Sequence, residues 1–336
     1  MLPINPANAR LWSMLGSRGA FGVAMLESAG GLPDVMVLTA DLGITAGLDR
    51  FRVAHPDQFL NVGIAEQNMI GIAAGFAKEG HNVFVTTFAT FAAMRSYDQI
   101  RLSLGCMGLN IKVIGLAGGM AMGHFGNTHY GIEDMALIRA IPGIAVISPA
   151  DGAEIMKTVD ALTCYQGPVF VRLTGAANNP IVYASDYQFE IGKAVRLKAG
   201  TEIAIFSCGT MVYESMQAAT KLQALGVSAS VTNMHTLKPL DLDAIDDACR
   251  QSRLLVTVEE HGILGGLGSA IAEHTAKRGG APPQIFIGLP DKFGVSGSYK
   301  YLLEKYELKG EQIASTIMAA LRTRGTRVHE SAFVLD

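Results

Sequence analysis

Short runs rich in Val, Ile, Leu and Phe recur along the chain, separated by longer stretches whose apolar positions fall at helical spacing. Val35–Ala40, Phe59–Val62, Val83–Thr86, Ile111–Leu116, Ala145–Ser148 and Val169–Leu173 do not alternate apolar with polar residues, the pattern of strands buried on both faces. Interleaved helices then serve as right-handed crossovers, which predicts an α/β fold with a doubly wound, mostly parallel sheet. The stretch Thr174–Asp186, TGAANNPIVYASD, carries Gly, Pro and paired Asn without periodicity and reads as a linker. After it the alternation resumes, with strands at Ile203–Ser207, Ala229–Asn233, Leu254–Glu259 and Ile285–Gly288. Helices are expected over Val212–Leu225, after Asp241, from about Gly268, and twice at the C-terminal end, where Ile313, Ile317 and Leu321 recur at helical spacing. The second unit is a smaller α/β domain.

Composition narrows the function. With 336 residues, 49% hydrophobic and 17% charged, the chain buries a large core and is not disordered. Its net charge of −3 gives no electrostatic footprint for nucleic acid. So little charge implies that part of the surface is covered in an oligomer. Glycine is in excess, 38 of 336, which calls for tight turns and close backbone approaches. Cys106, Cys164, Cys208 and Cys249 stand alone, so neither a disulfide framework nor a zinc site is expected. No apolar run has the length of a signal peptide core or a membrane span, and a cytoplasmic location is the expectation.

Three segments carry candidate chemistry. HGILGGLGSAIAE, residues 261–273, follows a strand and opens a helix, but its glycine spacing is not that of a dinucleotide fingerprint; a tight strand-to-helix turn is the better reading. Glu66, in NVGIAEQN, falls where a strand ends and a Gly- and Ala-rich helix begins, the crevice where open α/β sheets bind ligands. Apolar neighbours there would favour its protonated form, although a glutamate at a helix start is more often a dipole partner. Phe88, Phe91 and Met94 recur at i, i+3, i+6, so a helical turn would place them on one face, as a ring platform or as an ordinary core stripe. Arg95, Tyr97 and Asp98 read as an interface or helix-surface network, His261 as a partner of the turn that follows it, and His235, His274 and His329 as surface or packing residues.

Taken together, AEQN, TFATFAAMRSYDQIR, GNTHYGIEDMALIRAIPGIAVISPAD and LLVTVEEHGILGGLGSAIAEH follow one another as in the C-terminal half of transketolase. From about Ser13 to Leu321 the chain resembles the separate C-terminal subunit of a split transketolase. The resemblance implies an N-terminal arm (1–12), a pyrimidine-binding domain (13–178), a linker (179–190), a transketolase C-terminal domain (191–325) and a tail (326–336). It implies thiamine diphosphate as cofactor, with Glu66 as the residue that protonates N1′ of the aminopyrimidine and so favours the imino form that deprotonates the thiazolium C2. Phe88, Phe91 and Met94 fall on the positions that hold that ring, Asp41 and Leu42 on the strand-end pair that approaches the cofactor, and His129 on the histidine that bonds the donor carbonyl. The family's Gly-Asp-Gly segment and downstream Asn, which bind diphosphate and Mg²⁺, have no counterpart here. The implied partner is therefore an N-terminal transketolase subunit that supplies the diphosphate-binding domain and most of the Mg²⁺ ligation, in an α2β2 heterotetramer.

The substrate segment departs from the family pattern. Gly123-His124-Phe125-Gly126 stands where G-E-D-G is usual, so Phe125 replaces an aspartate that contacts the donor sugar. Arg18 matches one phosphate-binding residue, but the arginine expected near Gly175 is absent and Ala117 stands in place of a histidine. With Asn127 completing the substrate set, the expectation is transfer of a two-carbon ketol unit from a ketose-type donor other than the common sugar phosphates to an aldehyde. Alternatives are a 2-oxo-acid dehydrogenase β subunit, a 1-deoxy-xylulose-phosphate synthase-like carboligase, and a non-catalytic scaffold descended from such a subunit.

Overall fold

The computed structural model describes the backbone of residues 2–331 and the side chains of residues 2–323; the side chain of His329 and most of the expected tail lie outside the described residues. Its strands are β1 (Val35–Thr39), β2 (Phe59–Asn61), β3 (Asn82–Phe88), β4 (Ile111–Gly118), β5 (Ala145–Ile147), β6 (Val169–Thr174), β7 (Val195–Lys198), β8 (Ile203–Ser207), β9 (Ala229–Asn233), β10 (Thr236–Lys238), β11 (Leu254–Gly262) and β12 (Gln284–Leu289). They form two sheets, ordered β10-β5-β6-β4-β3-β1-β2 and β12-β11-β8-β9-β7. Within each sheet the pairing is parallel except at one edge, where β10 joins β5 and β7 joins β9 antiparallel. β3, β4 and β6 are buried along their whole length, as their unbroken apolar sequences require.

The two antiparallel edge strands, β7 and β10, were not anticipated, and both have weak sequence signals. VRLK alternates charged with apolar residues and is partly exposed. Thr236–Lys238 ends at Pro239, which a sheet tolerates only at an edge. The position of β10 has a larger consequence, since a strand from the C-terminal half completes the sheet of the N-terminal half.

Three of the expected segments take a more ordered form than their names imply. Residues 6–12 are not a free arm but the first turns of a helix, Pro6–Ala24, whose Trp12 is fully buried against Gly152. The linker is a packed strap: Val182 and Tyr183 donate their amides to Asp151, and Tyr183 stacks on Tyr187 with centroids 3.8 Å apart. The last helix, Gly310–Ser331, also continues past residue 325. No described helix is long and apolar enough to cross a membrane.

Candidate active site

In the first sheet the chain runs from β1 outward to β2 and returns on the other side of β1 to form β3. The order therefore reverses between β1 and β3, which opens a crevice at the C-terminal ends of these strands. Three candidate segments reach it: Asp41 and Leu42 just after β1, Glu66 at the start of the helix Glu66–Lys78 that follows β2, and Phe88 at the end of β3.

Glu66 is buried, at 4% exposure, but it is not enclosed by apolar groups alone. Arg95 donates from Nη1 to its Oε1 at 2.7 Å, while Oε2 accepts no hydrogen bond from the described residues. The Arg95 guanidinium also lies over the Phe91 ring, 4.2 Å from its centroid. Phe91 in turn packs edge-on against Phe88 (5.7 Å) and His129 (5.3 Å), and Phe88 against His129 (5.6 Å). Carboxylate, guanidinium and three rings thus form one continuous wall. Arg95, read from sequence as part of a surface network, is its centre.

Met94 is not on this wall. Phe88 still belongs to the strand, and Phe91–Arg95 form a π-helical turn, so the i, i+3, i+6 rule for one helical face does not apply. Met94 is exposed, and its Sδ accepts from Thr90 Oγ1 at 3.6 Å. Leu42 packs against the same core as Phe91, and its amide donates to Thr39 Oγ1. Asp41 is held by Asn61, whose Nδ2 donates to its Oδ1 at 3.0 Å, and lines an adjoining cleft of about 360 Å³ with Gly43, Ile44 and Thr45.

His129 closes the loop that follows β4. Its Nδ1 lies 2.9 Å from Thr128 Oγ1, and the Phe125 ring leans against it at 4.8 Å while remaining 60% exposed. The C-terminal domain holds this loop. Asn127 exchanges both amide hydrogen bonds with the Gly294 backbone, Tyr130 donates to Val295 O at 2.6 Å, and Glu260 accepts from the Met120 amide at 2.6 Å. Asn127, expected to face substrate, therefore serves as a loop anchor. His124 lies exposed on the same loop, and Arg18 makes no hydrogen bond or ion pair with these groups among the described residues. Partial burial lowers the Arg18 guanidinium from its usual value.

Arg172, Asp134, Glu259 and Glu260, not singled out from sequence, join the His129 loop to the C-terminal domain or brace the turn after β11, together with His261, which meets that turn as expected. Arg172, buried in β6, pairs with buried Asp134 at 2.8 Å and donates to Gly131 O and Glu260 O. Glu260 also accepts from Tyr299 and Thr210; burial raises its pKa, opposed by those donors and by Arg172. His261 donates from Nδ1 to Gly262 O at 2.7 Å, and burial lowers it to about 4. In the HGILGGLG turn, the Leu267 and Gly268 amides at the helix start donate to the Glu259 carboxylate. A side-chain carboxylate thus fills the place where a nucleotide phosphate would sit. The doubled charge of EEHG within a buried strand was the available signal for Glu259 and Glu260.

A transketolase pyrimidine-binding domain model matches residues 13–178, and a transketolase C-terminal domain model matches residues 192–313. The chain belongs to the transketolase family. It is 36% identical to an apulose-4-phosphate transketolase subunit of Phocaeicola vulgatus, over 91% of this chain and 97% of that protein. It is also 36% identical to a 6-deoxy-6-sulfo-D-fructose transketolase subunit of Clostridium sp. strain MSTE9, over 86% of this chain and 89% of that one. Among solved structures it is similar to a split-gene transketolase described as an inactive β4 tetramer, with 37% identity, a TM-score of 0.81 and coverage of 91% of this chain and 98% of that one. The transketolase family depends on thiamine diphosphate. The described residues fit one part of that cofactor: a buried carboxylate with a free oxygen beside a wall of rings suits an aminopyrimidine. Among the described residues, no group of three or more His, Cys, Asp or Glu could hold a metal ion.

Proposed function

We propose that the chain is the C-terminal subunit of a two-chain, thiamine-diphosphate-dependent transketolase-type enzyme that moves a two-carbon ketol unit from a ketose-type donor to an aldehyde. The observation that supports this reading is the chain of contacts that runs from buried Glu66 through Arg95 to Phe91, and from Phe91 to Phe88 and His129, with Glu66 Oε2 accepting no hydrogen bond from the described residues. When bound, the cofactor supplies a nucleophilic thiazolium carbon. Glu66 shares a proton with the pyrimidine N1′, the work of a carboxyl held at a buried helix start. Phe88 and Phe91 give the ring an apolar face, and Leu42 and Asp41 border it from β1. His129 donates to the donor carbonyl as charge develops on its oxygen, and the C-terminal domain fixes its loop so that little reorganisation is needed. The diphosphate and Mg²⁺ are held mainly by an N-terminal partner subunit in an α2β2 assembly, a reading supported by relatives named as transketolase subunits.

The donor is other than a common pentose-pathway sugar phosphate. Phe125 adds bulk and removes an acceptor beside His129, Asn127 is committed to Gly294, and Gly175 and Ala117 leave out two basic residues. Relatives named for apulose 4-phosphate and 6-deoxy-6-sulfofructose support a modified sugar.

Calorimetry on this chain, on its partner and on the reconstituted pair tests the proposal: saturable thiamine diphosphate binding is expected only for the pair. Glu66→Gln should leave assembly intact and cut turnover by about 10²–10⁴-fold. Full-strength binding by the free chain, or unchanged turnover in the variant, would overturn it.

A further inference from the structure

Resting on that reading of the site, we infer that Arg95 is a positioning residue for Glu66, setting which carboxylate oxygen faces the cofactor. Four observations converge on it. First, Arg95 makes a single-ended contact, Nη1 to Oε1 at 2.7 Å, instead of the two-pronged clasp arginine usually forms with a carboxylate. One oxygen is thereby held and Oε2 is left for a ring nitrogen. Second, the guanidinium rests on the face of Phe91, so the group that orients the acid also packs on the ring wall. Third, the π turn supplies the geometry, since the Ser96 amide bonds Phe91 O instead of the carbonyl one residue nearer. Such turns insert one residue into a helix and recur at functional sites. Fourth, the Arg95 backbone is tied to the same helix start: Gln67 Nε2 donates to Arg95 O at 2.9 Å. Side chain and main chain of one residue thus both grip the first turn of the helix that carries Glu66.

An exposed ion pair of this kind would do little. Here, however, one partner is 4% exposed and the other 47%, and the buried partner has no other described hydrogen bond. Arg95 needs no contact with the substrate to affect chemistry, because it acts through the orientation of Glu66.

The readout is hydrogen–deuterium exchange at C2 of thiamine diphosphate in the reconstituted pair. It reports how well Glu66 is engaged and requires no sugar. Arg95→Met keeps length and the stack on Phe91 but removes the charge, and should slow exchange by about 10–100-fold with cofactor affinity little changed. Arg95→Lys restores a cation and should recover part of the rate. In a Glu66→Gln background, Arg95→Met should add nothing, since the group it positions is gone. An unchanged exchange rate in both Arg95→Met and Arg95→Gln would sink the inference. So would equal losses in Arg95→Lys and Arg95→Met that track lowered melting temperature, which a purely structural role predicts. Slow exchange in Glu66→Gln with a normal rate in both Arg95→Met and Arg95→Gln would refute this inference alone; normal exchange in Glu66→Gln would refute the proposed function beneath it.

Discussion

Arg172 and Asp134 are the most consequential pair outside the crevice, because both are almost fully buried and their contacts run to the His129 loop and to β11. A buried ion pair is a weak source of net stability, but removing one partner strands the other charge in a low-dielectric interior. Asp134→Asn should therefore lower unfolding stability by about 3–5 kcal/mol, seen as a reduced urea midpoint at unchanged slope. The double variant with Arg172→Met should lose less than the two single losses added together. The contrast between this pair and the crevice explains what was legible at this scale. Glu66, Phe88, Phe91 and His129 were picked out by the family resemblance of their segments, since position and spacing alone left a helix-dipole partner and a core stripe as the favoured readings. Arg172 lies inside VFVRLT and Arg95 inside MRSYDQ, and a cation in such a run discloses its partner only when distant carboxylates are brought beside it.

Among the elements, the parallel strands were legible because burial on both faces imposes continuous apolar runs. Of the four edge strands, β2 and β12 kept an apolar run long enough to read, whereas β7 alternates charged with apolar residues and β10 is three residues long before Pro239, so both look like loop. The first helix shows a different limit. No helix was legible over these residues, and at Gly16 the backbone has φ 70° and ψ 178°, a conformation essentially confined to glycine. A Cβ at that position would lie 2.6 Å from Ala176 O in the strap. The kink allows the strap to cross the helix, where Ser13 receives the Asn179 amide. Gly16→Ala should cost at least about 1–3 kcal/mol. Gly71→Ala, in the helix behind Glu66 and with nothing within 4 Å of its added Cβ, should stabilise the free chain by about 0.5–1 kcal/mol. Thermal unfolding of the two variants side by side separates a glycine required by geometry from one that leaves room for a neighbour.

Across the whole molecule, the two domains are joined by direct hydrogen bonds and a shared sheet, which is how the C-terminal domain can fix the His129 loop. β10 completes the first sheet, Ser148 donates its amide to His235 O at 2.7 Å, and Asn233 at the end of β9 donates to the fully buried Glu154 of the first domain. His235 sits on this seam, stacked on Phe189 at 4.5 Å, with Nδ1 beside Thr236 Oγ1 and Nε2 buried without a hydrogen bond among the described residues. Burial lowers its pKa to about 4, outweighing the nearby Lys193 backbone and Asp241 charge, so it stays neutral in the fold. An unfolded histidine takes up its proton near pH 6.5, so as pH falls from about 6.5 to about 4 the unfolded state binds the extra proton and stability drops. Each pH unit in that window costs up to about 1.4 kcal/mol per such histidine, and His261 contributes with the same sign. The buried carboxyls of Asp151 and Glu259, raised by burial to about 6 and about 7, act in the opposite direction: their contribution is full in acid and is lost as pH rises through those values. The net slope of the parent is therefore a difference, and the informative quantity is the parent compared with His235→Gln. Urea unfolding between pH 7.5 and 4.5 should show the variant losing less stability on acidification. Because the seam joins both sheets, Trp12 fluorescence, which reports the first domain, and far-ultraviolet circular dichroism, which reports both, should move together in a single transition at every pH. Two separated transitions, or parallel pH profiles for parent and variant, would contradict the shared seam and the neutral buried histidine respectively.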